Sequence, residues 1–167
     1  MKMANSSVVR GGYFTVVLNS DDPSNQIVQS NGKKNNVQFF NTLATPIVFP
    51  DNELASWQCC LKAASFYMPY GPAIYVTTPI IQPTIVGSAK FSVLHQFPAS
   101  ELGIWPYLFE QMSTVQQWQP LSAARIDRIA ISLANIVNNQ ISEIVPNVFG
   151  NTPTVLELAF KRIGQEI

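Results

Sequence analysis

The chain has 167 residues, of which 47% are hydrophobic and only 12% charged, and its ten basic and ten acidic residues leave no net formal charge. The charged share is about half of that in ordinary soluble domains, which favours a protein that buries much of its surface against neighbours over a monomer with an uncharged polar surface. Zero net charge and the lack of a Lys/Arg run argue against nucleic acid as a partner, because binding a duplex requires neutralisation of its phosphates. The length predicts one domain with a sizeable core.

The first twelve residues are small and polar and show no period. They lack the apolar segment of a signal peptide, so we expect no secretion by that route. No stretch of the sequence reaches the ~18 consecutive apolar residues of a membrane-spanning helix. We therefore expect residues 1–12 to form a flexible arm, either disordered or docked on a neighbouring subunit, and residues 13–167 to form a single β-sandwich domain.

The first part of this domain alternates β-rich runs with turn-rich loops. Pro46 and Pro50 bracket one run, which suits an edge position because proline cannot donate a ladder hydrogen bond. The loop at residues 19–25 carries Asp21, Asp22 and Asn25. It lacks the spacing and the closing Glu of a calcium loop, so turn formation explains it better. The predicted strands lie at residues 13–18, 26–29, 37–41 and 47–49.

Residues 57–63 alternate clearly between two faces. Trp57 is interpreted as a core anchor rather than as a platform for ligand stacking. Neighbouring cysteines on a strand point to opposite faces, so a disulfide between Cys59 and Cys60 would be strained, and we expect free thiols in a reducing compartment. The residues predicted to share the face of Trp57 are Cys59, Leu61 and Ala63.

The middle of the chain combines strands with apolar loops. Residues 66–72 predict an aromatic turn punctuated by proline. Residues 79–87 predict an apolar loop without a regular ladder, covered by another element. Residues 98–112 are the only stretch in which we allow a helical turn or two; otherwise they form a long loop over an open end of the sandwich. Strands are predicted at residues 73–78, 89–97 and 114–119.

The clearest strand pattern lies in residues 126–163. Apolar residues recur two apart, as they do in a strand with one dry face. Asn138 and Asn139 predict a tight reversal before a second run at residues 141–145, and a third strand is predicted at residues 154–163. The repeating apolar positions are Ile129, Ile131 and Leu133 in the first run and Leu156, Leu158 and Phe160 in the last.

The count of roughly eight to ten strands with few helices predicts an all-β fold, an antiparallel β-sandwich. We favour a single jelly roll, and the sequence leaves another Greek-key order open. This prediction of the fold uses only the strand pattern and the turn residues, and it does not depend on any reactive side chain.

Few reactive groups stand out in the sequence. His95 is the only histidine, so a Ser-His-Asp or Cys-His arrangement would have to use it. Its place in an alternating apolar run indicates a packed strand residue rather than a catalytic base. Phosphate-loop, metal-ligand and nucleophile-elbow patterns are absent from the sequence. We therefore predict no catalytic, cofactor-binding or metal-binding residues, no small-molecule substrate and no enzymatic activity.

The order of several short motifs resembles a known family. Phe39, Leu43, Pro46 and Ile47 precede the strand that begins at Trp57. An aromatic turn with Tyr67 and Pro69 follows, and then a Tyr-Val strand with a closing Val-Gly at residues 74–87. Trp-Gln-Pro-Leu at residues 118–121 leads to Ile-x-x-Ile-x-Ile, and the chain closes on Leu-x-Leu-x-Phe-x-Arg at residues 156–162. This order is similar to small β-sandwich virion proteins of polinton-like, adintovirus-like and virophage-like DNA viruses, and it covers most of the chain from about Tyr13 onward. Asn138 and Asn139 stand where that pattern has acidic turn residues.

The resemblance implies a virion structural protein, because minor capsid proteins of this kind often use a single jelly roll as a penton or as cement between major capsomers. It implies a homo-oligomer, a complex with the major capsid protein, or both, assembled inside the host cell and located in the virion. The expected contact elements are residues 1–12, chosen for the absence of regular structure, and residues 79–87 and 98–112, chosen for apolar character together with irregular structure. The alternative is a carbohydrate- or receptor-binding module, in which the aromatic residues Tyr67, Tyr70, Trp105 and Tyr107 stack on sugar rings.

Overall fold

The computed structural model describes residues 7–8, 11–29, 31–50, 53–66, 73–97, 111–112, 116–137, 140–143 and 152–164. Within these ranges the regular structure is β throughout, apart from a 3-10 turn at Leu54–Ser56. In chain order the strands are β1 Ser7–Val8, β2 Tyr13–Asn19, β3 Gln38–Val48, β4 Trp57–Ser65, β5 Ile74–Thr77, β6 Thr84–Val86, β7 Ala89–Phe91, β8 Val93–Phe97, β9 Gln111–Met112, β10 Gln119–Pro120, β11 Arg125–Val137, β12 Gln140–Glu143 and β13 Val155–Arg162.

The strands form two main sheets and one hairpin. The β11 sheet has the order β1-β3-β11-β5-β8, with β12 also paired to β11. The β13 sheet has the order β10-β4-β13-β2, with β9 also paired to β4. All neighbours in these sheets are antiparallel except β1, which runs parallel to β3. The hairpin of β6 and β7 pairs only with itself among the described residues.

The strand order is that of a single jelly roll. Eight strands carry it, and they pair from the outside of the chain inward: first with last (β2 with β13), second with seventh (β3 with β11), third with sixth (β4 with β10) and fourth with fifth (β5 with β8). Nested antiparallel pairs of this kind, wrapped over two facing sheets, define the jelly roll. The predicted antiparallel β-sandwich is confirmed, and its strand order is the favoured one.

The core lies between the two sheets and follows the predicted alternation. On β11 the side chains of Ile129, Ile131 and Leu133 are at most 3% exposed, and their counterparts on β13 are fully buried. Removing each such side chain from water contributes about 1.5–3 kcal/mol to stability. The period-two pattern of these two strands therefore determines which faces of the sheets meet.

Four aromatic rings join the two sheets. Phe14, Trp57 and Phe160 belong to the β13 sheet, and Phe49 directly follows β3 of the other sheet. The rings of Phe14 and Phe160 stack with their centroids 4.8 Å apart, and those of Phe49 and Trp57 lie 5.1 Å apart. Trp57 is 1% exposed, which confirms its interpretation as a core anchor.

Strand β3 runs unbroken where the sequence predicted two separate pieces. Its ladder with β11 passes from the pair Ile47–Ile126 directly to the pair Thr42–Arg128. Residues 43–46 of β3 therefore have no partner in this ladder, and Pro46 among them breaks no ladder bond. The predicted division into residues 37–41 and 47–49 is wrong, because a β-bulge accommodates the proline.

Strand β4 contains a bulge that its alternating sequence did not reveal. Leu61 and Ala63 pair with consecutive residues of β13, so Lys62 is the additional residue. A bulge reverses the faces of the residues beyond it. Ala64 is consequently buried at 3% exposure whereas Ala63 is half-buried, so the prediction that Ala63 shares the core face of Trp57 is wrong.

Other predicted elements differ in extent. Residues 26–29 form only an isolated bridge from Val28 to Lys34. The single strand predicted at residues 89–97 is two strands in different sheets, and the predicted ladder-free loop at residues 79–87 contains β6, because Pro83 precedes the strand instead of interrupting it. Of the strand predicted at residues 114–119, the described part is strand only at Gln119.

Several predictions lie outside the described residues. They are the aromatic turn beyond Phe66, the loop predicted at residues 98–112 except for its last two residues, which form β9, and the reversal at Asn138 and Asn139. In the predicted arm, Ser7–Val8 pairs with Ile47 and Val48 of β3, and the other described residues of the arm are Gly11 and Gly12.

Candidate functional site

The single histidine lies inside the sandwich. His95 on β8 is 7% exposed and pairs across the sheet with Val76. Its ring meets that of Phe97 edge-on, with centroids 4.5 Å apart. No group of three or more His, Cys, Asp or Glu residues in the described part of the chain is arranged to hold a metal ion. The position of His95 is that of a packed strand residue.

The two cysteines are buried, free thiols on β4. Burial raises the pKa of the Cys59 thiol well above its ordinary range. Burial also raises the pKa of Cys60 to about 11, although the nearby Lys161 opposes the shift. Because the thiolate is the nucleophilic form, both groups are held in the unreactive protonated state at neutral pH.

The loop after β2 is held by its own polar side chains. Asp22 Oδ1 accepts hydrogen bonds from Ser24 N at 2.8 Å and from Ser24 Oγ, and these bonds hold the pKa of Asp22 below its ordinary value. Lys34 Nζ donates to the main-chain carbonyl oxygens of Asp22 at 2.6 Å and of Asn25 at 2.7 Å. The ammonium of Lys34 thus lies where the loop carbonyls converge, which accounts for this Asp/Asn-rich loop without a bound cation.

Many surface charges are neutralised by their neighbours. Ion pairs bring Nζ of Lys62 within 2.8 Å of Oε1 of Glu157, Nη2 of Arg125 within 2.7 Å of Oδ1 of Asp127, and Nη2 of Arg162 within 3.2 Å of Oε1 of Glu53. Exposed pairs of this kind add little stability. Their consequence is a surface with few unpaired charges around the described strands.

Two further cations face aromatic rings. Lys161 Nζ lies 4.2 Å from the ring centroid of Trp118, and the guanidinium of Arg128 lies 5.3 Å from that of Phe40. Each contact places a charge against an apolar face, as cation–π pairs do. Each contact covers part of an aromatic ring, while the cation keeps its charge.

Strand β2 forms one edge of the β13 sheet and is closed at one end by a side chain. Asn41 Oδ1 accepts a hydrogen bond from Asn19 N at 2.7 Å, and Asn41 Nδ2 donates to Asn19 O at 2.9 Å. An amide side chain thus takes the place of a neighbouring strand at Asn19. The next positions along the edge expose their side chains, with Thr15 exposed and Val17 63% exposed.

A polar cavity of about 410 Å³ lies between the loop after β2 and the residues that precede β13. Asp21 and Lys33 bring opposite charges to it. Asn36 is 6% exposed, and its Oδ1 has no hydrogen-bond partner among the described residues. The remaining lining residues are Ser20, Gln29, Gly32, Lys34, Thr152 and Pro153. Hydroxyl, amide and charged groups around one opening suit a polar ligand better than an apolar one.

The hairpin of β6 and β7 exposes one large apolar side chain, which lies in the middle of β6. Ile85 is 68% exposed, and Gly87 makes the turn with a φ of 63°. The residues just before it behave differently, since Ile80 and Ile81 are at most 4% exposed. The predicted covered loop at residues 79–87 is therefore buried at its start and exposed at its hairpin, which corrects the expectation that another element covers all of it.

The structure tests the sequence-based site assignments unevenly. The aromatic residues proposed to stack on sugars lie outside the described residues. Sequence reasoning missed Asn41 as the cap of the β2 edge, because its role depends on a contact 22 residues away along the chain. The uncharged run Tyr13–Asn19 was the available signal for an unprotected edge strand, although the sequence does not say that β2 is an edge.

Among the residues that the structure describes, no helix has the length and apolar character to cross a membrane. Comparison with known proteins yields no matching family model, no matching curated protein and no matching solved structure. The chain is therefore assigned by its own geometry to the class of all-β sandwiches with jelly-roll strand order.

Proposed function

We propose that this protein is a virion structural subunit, a penton, minor capsid or cement protein that assembles with copies of itself or with a major capsid protein. The observation that carries the proposal is a single jelly roll on which, among the described residues, six charged side chains are joined in three ion pairs. Jelly rolls are common in viral capsids. Burying unpaired charges opposes association, so a surface of paired charges and uncharged polar groups suits subunit contacts. The motif order that resembles virion proteins supports the same role.

The hairpin of β6 and β7 is the described contact element that best fits this role. It projects Ile85 from an otherwise self-paired two-stranded unit, and the exposed side chain is apolar. An exposed apolar side chain of this kind gains stability when a neighbouring subunit covers it. The hairpin lies between β5 and β8, so it can change without altering the eight strands of the jelly roll.

The test is the composition of purified particles. Particles of the encoding virus, separated on a density gradient, are expected to contain this chain at a constant ratio to the major capsid protein by quantitative mass spectrometry. An Ile85→Lys variant is expected to lower that ratio. The control Val28→Lys, at an apolar residue that is 59% exposed, is expected to leave the ratio unchanged. A chain that stays in the soluble fraction while particles form without it would refute the proposal.

A second candidate function is carbohydrate or receptor binding, favoured by the polar cavity beside the loop after β2. Jelly rolls also serve as lectins, and the cavity combines the Asp21 carboxylate, the Lys33 ammonium and the Gln29 amide. These groups can donate to and accept from sugar hydroxyls. The loop is held by hydrogen bonds such as those from Lys34, so the cavity wall is preorganised.

Glycan-array binding tests this second function. Binding that falls with Asp21→Ala and with Lys33→Ala, and that persists with Lys90→Ala on the hairpin of β6 and β7, is the expected pattern. Lys90 is an exposed lysine that does not line the cavity, so it controls for a general loss of positive charge. No binding above background, or equal losses for all three variants, would reject the cavity as the binding site.

A further inference from the structure

Strand β2 has a regular edge that nothing described covers. It ends the β13 sheet, and its ladder with β13 holds one register over all seven residues without a bulge. The strand Tyr13–Asn19 contains no charged residue, no proline and no glycine. Natural edge strands are usually blunted by one of these devices, because a bare edge invites another strand. The opposite edge of the sheet ends on β10, which has two residues, one of them Pro120.

The hydrogen bonds show which residues of β2 face the free edge. Gly12 O accepts from Arg162 N at 2.8 Å and Thr154 O accepts from Ser20 N at 2.9 Å, so the even-numbered positions point their main-chain groups toward β13. Asn19 points its N–H and C=O the other way, toward Asn41. Since these directions alternate along a strand, Tyr13, Thr15 and Val17 direct their main-chain groups to the free edge.

These three positions are self-complementary. If two copies of β2 pair antiparallel about a two-fold axis at Thr15, Thr15 meets its own counterpart, and Tyr13 meets Val17 of the second copy. The three pairs exchange about six main-chain hydrogen bonds, the largest number the free groups allow. A register centred on Val16 would set Tyr13 opposite Asn19, whose groups are already occupied by Asn41.

The side chains fit this register on both faces. On the outer face, Thr15 packs beside Thr15 of the second copy and Tyr13 beside Val17, and both Thr–Thr and aromatic–β-branched pairs are favourable across strands. On the inner face, the half-buried Phe14 lies opposite the half-buried Val16. Pairing therefore covers apolar surface on both sides of the joined sheet and brings no like charges together.

We propose that two copies of this chain associate through antiparallel pairing of their β2 strands, centred on Thr15, to form one continuous sheet. The contact uses the same surface on each copy, so it closes at two and does not propagate. It goes beyond the proposed virion role and does not depend on it. In an assembled shell it would provide a two-fold contact between neighbouring subunits.

Charge variants at Thr15 test the contact. The wild-type chain is expected to show, by size-exclusion chromatography with light scattering, a concentration-dependent mass of twice the 18.5 kDa of one chain. Thr15→Lys and Thr15→Glu each place like charges opposite one another and raise the dissociation constant about five- to tenfold. Mixing the two variants restores the dimer. Thr84→Lys, at an exposed threonine of β6, leaves it unchanged.

Cysteine variants test the register. Thr15→Cys is expected to form an intermolecular disulfide on mild oxidation, because directly opposite residues of a hydrogen-bonded pair have Cα atoms about 5.5 Å apart, within disulfide range. Val17→Cys is expected not to, since the two Val17 positions lie about 13 Å apart along the strand. The native cysteines are buried and give no background link.

Three results would overturn the proposal. They are a wild-type chain that stays monomeric at all concentrations, charge variants that fail to restore association on mixing, and a cross-link through Val17→Cys without one through Thr15→Cys. The first two would mean that another segment or another protein covers the edge, and the third would mean a different register. Dimer formation is measured in solution, and incorporation into particles is measured in purified virions. The dimer proposal and the virion proposal can therefore fail independently.

Discussion

The Asn41 side chain offers a sharp test of how the β2 edge is held in place. Asn41→Ala removes the hydrogen bonds of the amide to Asn19 N and Asn19 O, at 2.7 Å and 2.9 Å. It also removes the bond from Asn41 Nδ2 to Phe40 O at 3.1 Å. Asn41 is 6% exposed, so water replaces these bonds poorly.

The expected loss follows from these contacts. Each net hydrogen bond contributes about 1 kcal/mol, and a buried partner left unpaired adds to the penalty, so the free energy of unfolding falls by roughly 2–4 kcal/mol. For a domain of this size the melting temperature falls by about 5–15 °C. Urea denaturation followed by tryptophan fluorescence measures the change, because Trp57 lies in the core.

The control for this prediction is Asn31→Ala. Asn31 is an exposed loop residue whose side chain accepts one bond from Lys33 N and donates one to Gln29, so its loss is expected to stay below about 1 kcal/mol. Equal destabilisation by the two variants would refute the reasoning, because it would mean that closing the end of β2 contributes nothing beyond an ordinary surface turn.

Three further predictions concern the core, the thiols and the loop after β2. Phe160→Ala removes a fully buried ring that stacks on Phe14 and should lower the free energy of unfolding by about 3–5 kcal/mol. The control Ile85→Ala, at a 68% exposed site, should change the free energy of unfolding by less than about 0.5 kcal/mol. Similar losses for the two variants in urea melts would contradict the assigned burial. Burial raises the folded-state pKa of Cys60 from its ordinary 9.0 to about 11. The unfolded chain therefore loses this proton first as the pH rises above 9. The free energy of unfolding then falls, by up to about 2–3 kcal/mol at pH 11. Cys60→Ala should reduce that fall without abolishing it, because the raised pKa of Cys59 acts in the same direction, and an unchanged slope in pH-dependent urea melts would count against it. The pKa of Asp22 is lowered by hydrogen bonds from Ser24, so its contribution is present above the ordinary value of 3.8 and is lost as pH falls through the depressed pKa. Asp22→Ala should therefore be less stable than wild type at pH 6, with the difference shrinking below pH 4, and a difference independent of pH would refute the assignment.

The core could be predicted from the sequence because burial follows a period of two. Ile129 and Leu156 stand in runs whose alternate residues are apolar, and both are fully buried. Trp57 was interpreted as a core anchor for the same reason. Local periodicity is sufficient to identify the buried residues here, since each strand buries only one face whichever strand it pairs with.

The bulges escaped prediction because they depend on the partner strand. Lys62 is the additional residue only because β13 offers one fewer position opposite it. The four residues before Ile47 stay outside the ladder only because β11 shifts its register there. Pro46 signals an irregularity in β3 but not its extent, and nothing in the sequence of β4 identifies Lys62. As a result, β3 was divided into two predicted strands, and Ala63 of β4 was assigned to the wrong face.

The sequence by itself determined the class of the fold, the inward-facing residues of the long strands and the low share of charged residues, because these depend on composition and on local period. Only the tertiary structure decided which strands became neighbours, and therefore that β2 forms an edge, that Asn41 closes one end of it and that Thr15 is the centre of its free groups. Those properties join residues distant in the chain, and a long-range pairing has no local signature in the sequence.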